Sequence, residues 1–174
     1  MSSDPDLLTG FPPIIDAGVK TLILGSFPSP VSLAAGQYYA HRQNQFWRIM
    51  AAITGEPLSE LAYAQRCQRL LAHGFGLWDI YHRCQRQGAL DAAIRAAEAN
   101  DLSRLAGLAP GLRRICFNGR TAGGCERRVE ALGYSSCILP STSPAYTLAF
   151  ARKLELWRSG ITGRTGGSGG PEHP

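Results

Sequence analysis

Lysine is scarce in this chain: of its 18 basic residues only Lys20 and Lys153 are lysine, and the other 16 are arginine. Long apolar runs are missing as well. No stretch approaches the roughly 20 consecutive apolar residues that a membrane-spanning helix requires. The first residues, MSSDPDLLTG, are acidic and polar where a secretory signal carries a basic and then an apolar segment. A soluble, cytoplasmic protein with no membrane partner is expected. The five cysteines, Cys67, Cys84, Cys116, Cys125 and Cys137, are odd in number and include no CxxC pair. That speaks against a disulfide framework and against a zinc ribbon. An iron-sulfur cluster needs four thiolates from closely spaced loops, whereas Cys67, Cys116 and Cys125 fall on apolar faces of predicted elements. Buried thiols in a reducing compartment are the expectation.

Several catalytic signatures are missing too. There is no phosphate-binding P-loop and no GxGxxG fingerprint, so triphosphate and dinucleotide cofactors lose support. There is no GxSxG elbow and no pair of histidines at metal-ligand spacing. Neither a metal nor a cofactor is expected.

What is present suits one compact domain: 174 residues, 44% of them hydrophobic and 18% charged. The net charge of +5 permits a polyanionic partner without demanding one. Arginine's planar fork suits phosphate, while its abundance beside alanine and glycine also fits a GC-rich coding bias with most arginines solvated. Four short apolar runs read as strands covered on both faces: Thr21 to Gly25, Phe75 to Ile80, Arg114 to Asn118 and Cys137 to Leu139. Helical stripes lie between them. Leu61, Ala64, Cys67 and Leu71 form one, and Ala122, Cys125, Val129 and Leu132 another. A third helix begins near Asn44 with Phe46, Ile49, Met50 and Ile53, and a fourth runs from about Thr147 to Trp157. Strands alternating with helices predict a three-layer α/β/α domain around a mostly parallel four-stranded sheet. The domain is placed at residues 1–158. Residues 159–174, rich in Gly, Ser, Thr and Pro, read as a disordered tail.

In an open α/β sheet ligands bind beyond the carboxyl ends of the strands. The first strand is followed there by Gly25-Ser26-Phe27-Pro28-Ser29-Pro30, and a longer loop leads through Tyr38, Tyr39 and His41 to Asn44 and Phe46-Trp47. Asp79 stands at the carboxyl end of the second. After the third come Asn118-Gly119-Arg120 and a helix, and after the fourth Pro140-Ser141-Thr142-Ser143-Pro144, a polar turn entering a helix. Amides and hydroxyls of this kind can hold a planar heterocycle by its edge and position a water, but they do not titrate near neutrality. Phe27, Tyr38, Tyr39, Phe46 and Trp47 beside them offer rings on which a base can stack.

The segments GSFPS, GQYYAHRQNQFW, GFGLWDIYHRCQRQGALD, ICFNG and LPSTSPA occur in the order and approximate spacing of the uracil-DNA glycosylase superfamily. They most resemble its family 6, the hypoxanthine-DNA (deoxyinosine) glycosylases, over about Thr21 to Trp157. The resemblance implies a glycosylase of base-excision repair, a monomer acting on DNA that contains deaminated bases. It implies that Asn44 is catalytic and that Asn118 contacts the flipped base. It also implies that Gly25, Ser26, Phe27, Tyr39 and Phe46 form the base pocket, and that Ser141, Thr142, Ser143 and Pro144 grip the DNA backbone and wedge the duplex. Two departures stand out. Members read HPRN where this chain has His41-Arg42-Gln43-Asn44, and SPAN where it has Ser143-Pro144-Ala145-Tyr146.

Plainer readings stand beside these. Asn44 can cap a helix that begins at Gln45, Asn118-Gly119 can be only a turn, and Ser141 to Ser143 can cap a helix whose first turn holds Pro144. Asp79 reads as a structural hydrogen-bonding group ahead of a catalytic carboxylate, and His41 as a loop histidine. Rival functions are a uracil-preferring enzyme of the same superfamily, a DNA-binding module without catalysis, and a small-molecule-binding α/β domain.

Overall fold

The computed structural model describes residues 6–163. Its strands are β1 (Leu8–Thr9), β2 (Thr21–Gly25), β3 (Phe75–Asp79), β4 (Tyr81–Gln85), β5 (Arg95–Ala99), β6 (Arg114–Asn118) and β7 (Ser135–Leu139). Its helices are α1 (Pro30–Ala35), α2 (Phe46–Thr54), α3 (Tyr63–Ala72), α4 (Leu105–Leu108), α5 (Arg120–Gly123), α6 (Glu126–Ala131) and α7 (Phe150–Thr162). The four expected strands make one sheet in the order β3-β2-β6-β7, and every neighbouring pair is parallel.

Alternation along these strands sends side chains to both faces. Leu22, Leu24, Trp78, Ile115 and Phe117 pack with Leu105, Ala122 and Val129 on one side. Ile23, Leu77 and Cys116 pack with Phe46, Ile49, Met50, Leu70 and Trp157 on the other. The sheet is thus buried between α4, α5 and α6 on one face and α2, α3 and α7 on the other, which is the expected three-layer α/β/α architecture. Because the helices after β2 and after β6 lie on opposite faces, the chain diverges beyond the carboxyl ends of these two adjacent strands and leaves a crevice there.

Three features depart from the sequence reading. The stripe from Ala122 to Leu132 is broken into α5 and α6 at Gly124 and Cys125. A Cβ on Gly123 would come within 2.6 Å of Ile138, so the chain needs glycine there to lie against β7, and glycine weakens the helix. The last helix does not stop at Trp157. Ile161 continues its buried stripe, Gly163 at φ 71° closes it in the left-handed conformation, and the Arg114 Nε–H donates to the Gly160 carbonyl at 2.7 Å. The helix thus runs past residue 158, where the tail was expected to begin, and the rest of that expected tail, 164–174, lies outside the described residues. Lastly, β1, β4 and β5 form a small antiparallel sheet that was not anticipated. Its strand RAAEA is exposed at all five positions and low in β-formers, so only pairing reveals it.

None of the five cysteines is paired among the described residues. Only Cys84 and Cys116 are fully buried, whereas Cys67, Cys125 and Cys137 are half-buried, so the expectation of five buried thiols holds for two. Among the described residues no helix is long and apolar enough to cross a membrane.

Candidate active site

A cavity of about 440 Å³ opens at the crevice beyond β2 and β6, within the usual range for a small-molecule site. Gly25, Ser26 and Phe27 enter it from the end of β2, Asp79 from the end of β3 and Asn118 from the end of β6. Tyr38, Tyr39, His41 and Asn44 come from the loop before α2, and Ser141 through Tyr146 from the segment after β7. Ten of the eleven residues expected at the site line this one cavity.

Phe46 is the exception. It is fully buried, and its ring stacks on Tyr39 with centroids 4.2 Å apart and planes 25° from parallel. It therefore backs the aromatic wall and leaves Tyr39 to face the cavity.

Asn44 is held by its own helix. Its Oδ1 accepts the Phe46 backbone N–H at 2.9 Å at the start of α2, while its own N–H donates to the His41 carbonyl at 2.9 Å. Asn44 lines the cavity, but it is not the N-cap, which is Gln45; its side chain closes an Asx turn one residue ahead of the helix, so the capping expectation is met only in that form. Asn118 is held more tightly still. Its Nδ2 donates to Thr142 Oγ1 and its Oδ1 accepts the Thr142 N–H, both at 2.9 Å. These two bonds leave Asn118 one N–H and one lone pair for a ligand. The same Thr142 accepts the Gln45 N–H at its carbonyl, at 3.0 Å. A single buried threonine thus ties together the segments that bear both asparagines. Gly119 adds to this closeness: its φ of 95° belongs to the left-handed region, and a Cβ there would stand 3.2 Å from that of Ser141.

The segment from Ser141 is not a cap for the following helix. Tyr146 N–H donates to the Ser143 carbonyl at 3.0 Å, which closes a turn with Pro144 at its second position, and α7 begins only at Phe150. This turn projects the Tyr146 ring, 47% exposed, at the cavity rim. Lys153 fixes it from below, with Nζ donating to the Tyr146 carbonyl at 3.1 Å and lying 5.3 Å from the ring centroid.

The electrostatic character of the cavity centres on Asp79. Burial, reinforced by the charge of Asp91, pushes its carboxyl from an ordinary 3.8 up to about 7, against the pull of the Arg86 guanidinium. Its Oδ2 finds no hydrogen-bond partner among the described residues, and only its backbone carbonyl is engaged, by Asn100 Nδ2 at 2.8 Å. The expected role as a structural hydrogen-bonding side chain is not met at Oδ2. Burial likewise drives the Tyr39 phenol upward, so it stays neutral, with the nearby Asn118 amide the opposing influence.

Residues 12–159 match the family profile of the Uracil DNA glycosylase superfamily. The chain belongs to that superfamily. Two proteins called hypoxanthine DNA glycosylase are similar to it. One, from Methanosarcina barkeri, is 39% identical over 85% of this chain and 94% of the relative. The other, from Methanosarcina acetivorans, is 42% identical over 78% of this chain and 86% of the relative. The solution NMR structure of a candidate uracil DNA glycosylase from Methanosarcina acetivorans is similar in fold. It has a TM-score of 0.82 and 38% identity, covering 88% of this chain and 96% of that one.

Within this superfamily member, the sequence reading missed the residues that reach the cavity from the small sheet. Ala89, Leu90 and Asp91 arrive on the connection between β4 and β5, with Leu90 61% exposed and Asp91 Oδ1 accepting the Ser26 hydroxyl at 2.7 Å. Residues 88–91 close the GFGLWDIYHRCQRQGALD segment that carries the resemblance, but their residue types alone suggest no role at a site. Arg86, ahead of this stretch, is buried against the expectation for arginine: its Nη2 donates to the Pro28 carbonyl and its guanidinium lies 5.4 Å from the Phe27 ring centroid.

Proposed function

We propose that the protein is a DNA glycosylase that hydrolyses the N-glycosidic bond of deoxyinosine and releases hypoxanthine from DNA. The observation that carries this reading is the pair of asparagines, Asn44 and Asn118, lining one aromatic-walled cavity in a chain similar to two hypoxanthine DNA glycosylases. The target nucleotide leaves the stack and enters the cavity. Its base lies among Phe27, Tyr39 and the strand ends. The transition state resembles an oxocarbenium ion with an anionic departing base, for which ordinary glycosidases use two carboxylates.

Asn44 is an amide and does not abstract a proton; it orients the attacking water by hydrogen bonds, so its contribution is positioning. Asn118 offers its remaining N–H to the carbonyl oxygen of hypoxanthine, or its remaining lone pair to the adjacent ring N–H. Backbone N–H groups at Gly25 to Phe27 stabilise negative charge on the leaving base. Ser141, Thr142, Ser143 and Pro144 grip the DNA backbone, and Tyr146 at the rim fills the gap in the stack. The superfamily description and the NMR neighbour favour a second reading, in which uracil is the preferred base.

The test is base release, scored by alkali cleavage, from oligonucleotides carrying one deoxyinosine or one uracil. Cleavage at deoxyinosine is expected to fall at least about a hundredfold in Asn44→Ala, the scale of losing a positioned group, and to fall in Asn118→Ala. Cleavage only at uracil overturns the substrate, and cleavage of neither overturns the activity.

A further inference from the structure

Asp79 plays no part in the mechanism just described, yet it is the most unusual polar group in the cavity. It ends β3 directly opposite Gly25 in the parallel register. A Cβ on residue 25 would lie 2.5 Å from its Oδ1 and 3.0 Å from the Tyr39 hydroxyl, so glycine at this position leaves the carboxyl and the phenol uncovered side by side. Both Asp79 Oδ2 and Tyr39 Oη lack partners among the described residues. Of the buried side-chain atoms without a partner among the described residues, these two belong to residues that line the cavity. A ligand in the cavity supplies one.

We propose that Asp79 is a further catalytic residue, whose carboxyl hydrogen-bonds a ring nitrogen of the flipped hypoxanthine and gives it a proton as the glycosidic bond breaks. The inference rests on the glycosylase reading above. As the bond between C1′ and the base nitrogen breaks, its electron pair goes to the base, and the Asp79 proton neutralises the charge at another ring nitrogen. The water oriented by Asn44 forms the new C1′–O bond, and the proton it sheds restores the carboxyl by way of solvent. The products are hypoxanthine and an abasic deoxyribose, with no oxidant or metal in the balance.

Asp91 approaches from the turn Asp91–Ala93 and disfavours the carboxylate, while Arg86, beyond β4, favours it. The Tyr38 and Tyr39 phenols stand in the loop before α2 and are driven upward chiefly by burial. His41 lines the same cavity. Because the neutral carboxyl is the donor and its midpoint lies near 7, the chemical step slows as pH rises through that value.

The experiment follows single-turnover release of hypoxanthine from a deoxyinosine oligonucleotide between about pH 5.5 and 9. The wild type is expected to slow above about pH 7. Asp79→Asn is nearly the same size and keeps a hydrogen-bond donor but cannot transfer a proton. It is expected to be slower by about tenfold to a hundredfold at pH 6, with that falling limb gone. Asp91→Asn, which removes the carboxylate that disfavours charge on Asp79, is expected to move the falling limb to lower pH. His41→Gln is expected to leave its midpoint in place. An Asp79→Asn enzyme as fast as the wild type, or one that keeps the limb, overturns the proposal, as does a limb that vanishes with His41→Gln. If Asp79→Asn does not fold, an unmoved limb in Asp91→Asn overturns it. A wild type that releases no hypoxanthine overturns the glycosylase reading and this inference together, whereas failure confined to the variants overturns the inference alone.

Discussion

The Asp79 carboxyl also makes a prediction about stability, independent of any substrate. A rise from 3.8 to about 7 corresponds, at about 1.4 kcal/mol per pH unit, to about 4 kcal/mol of differential stability between its neutral and charged forms. The unfolded chain gives up this proton near pH 4 and the folded protein keeps it to about 7. The folded state therefore holds more protons across that window, and stability falls as pH rises through it and levels off above. Asp101, whose carboxyl the Ser103 hydroxyl and backbone N–H hold below its ordinary value, responds in the opposite sense, so the wild-type curve alone does not isolate the effect. The difference between Asp79→Asn and wild type does. Measured by urea unfolding from pH 4.5 to 8.5, the variant is expected to gain on the wild type steadily between about pH 4.5 and 7, by several kcal/mol in all, and then to run parallel. A difference curve that is flat across this range would show that Asp79 ionises as an ordinary surface aspartate does, and the reasoning about its burial would be wrong.

Two further substitutions address the scaffold of the cavity. Gly25→Ala places a methyl group 2.5 Å from Asp79 Oδ1 and 3.0 Å from the Tyr39 hydroxyl, so it is expected to cost about 1 to 3 kcal/mol in denaturant unfolding and to abolish base release. Thr142→Val removes the acceptor for Asn118 Nδ2 while keeping the backbone bond to Asn118 Oδ1. It is expected to destabilise by about 1 to 3 kcal/mol and to raise KM for deoxyinosine DNA more than it lowers kcat, since it loosens Asn118 and leaves the Asn44 bond to the Phe46 N–H in place. A Thr142→Val enzyme indistinguishable from wild type in both assays refutes the idea that Thr142 orients the two asparagines.

Much of the architecture was legible because it is written locally. The four apolar runs are strands because each must be covered on both faces, and β2 and β6 begin and end at the residues read from sequence. The site segments were legible for a related reason: in an open parallel sheet every loop at the carboxyl edge converges, so naming strand ends names cavity walls. The end of α7 was misjudged because Ile161 alone carries the stripe through a polar, glycine-bearing stretch. The break between α5 and α6 was missed because the helical period was right while the close approach of Gly123 to Ile138 is a tertiary fact.

What the amino-acid sequence determined by itself is therefore the α/β/α layering, the placing of the site at one sheet edge, and the superfamily, since each depends on short-range periodicity or on motifs in order. Tertiary structure alone decided three things. It brought Leu90 and Asp91 to the cavity on a hairpin whose second strand, β5, has no local signature. It engaged the Asn118 amide with Thr142, 24 residues away. And it set an unsatisfied carboxyl at Asp79, because the ionisation of a side chain follows from what surrounds it in space, where burial and the charge of Asp91 act together.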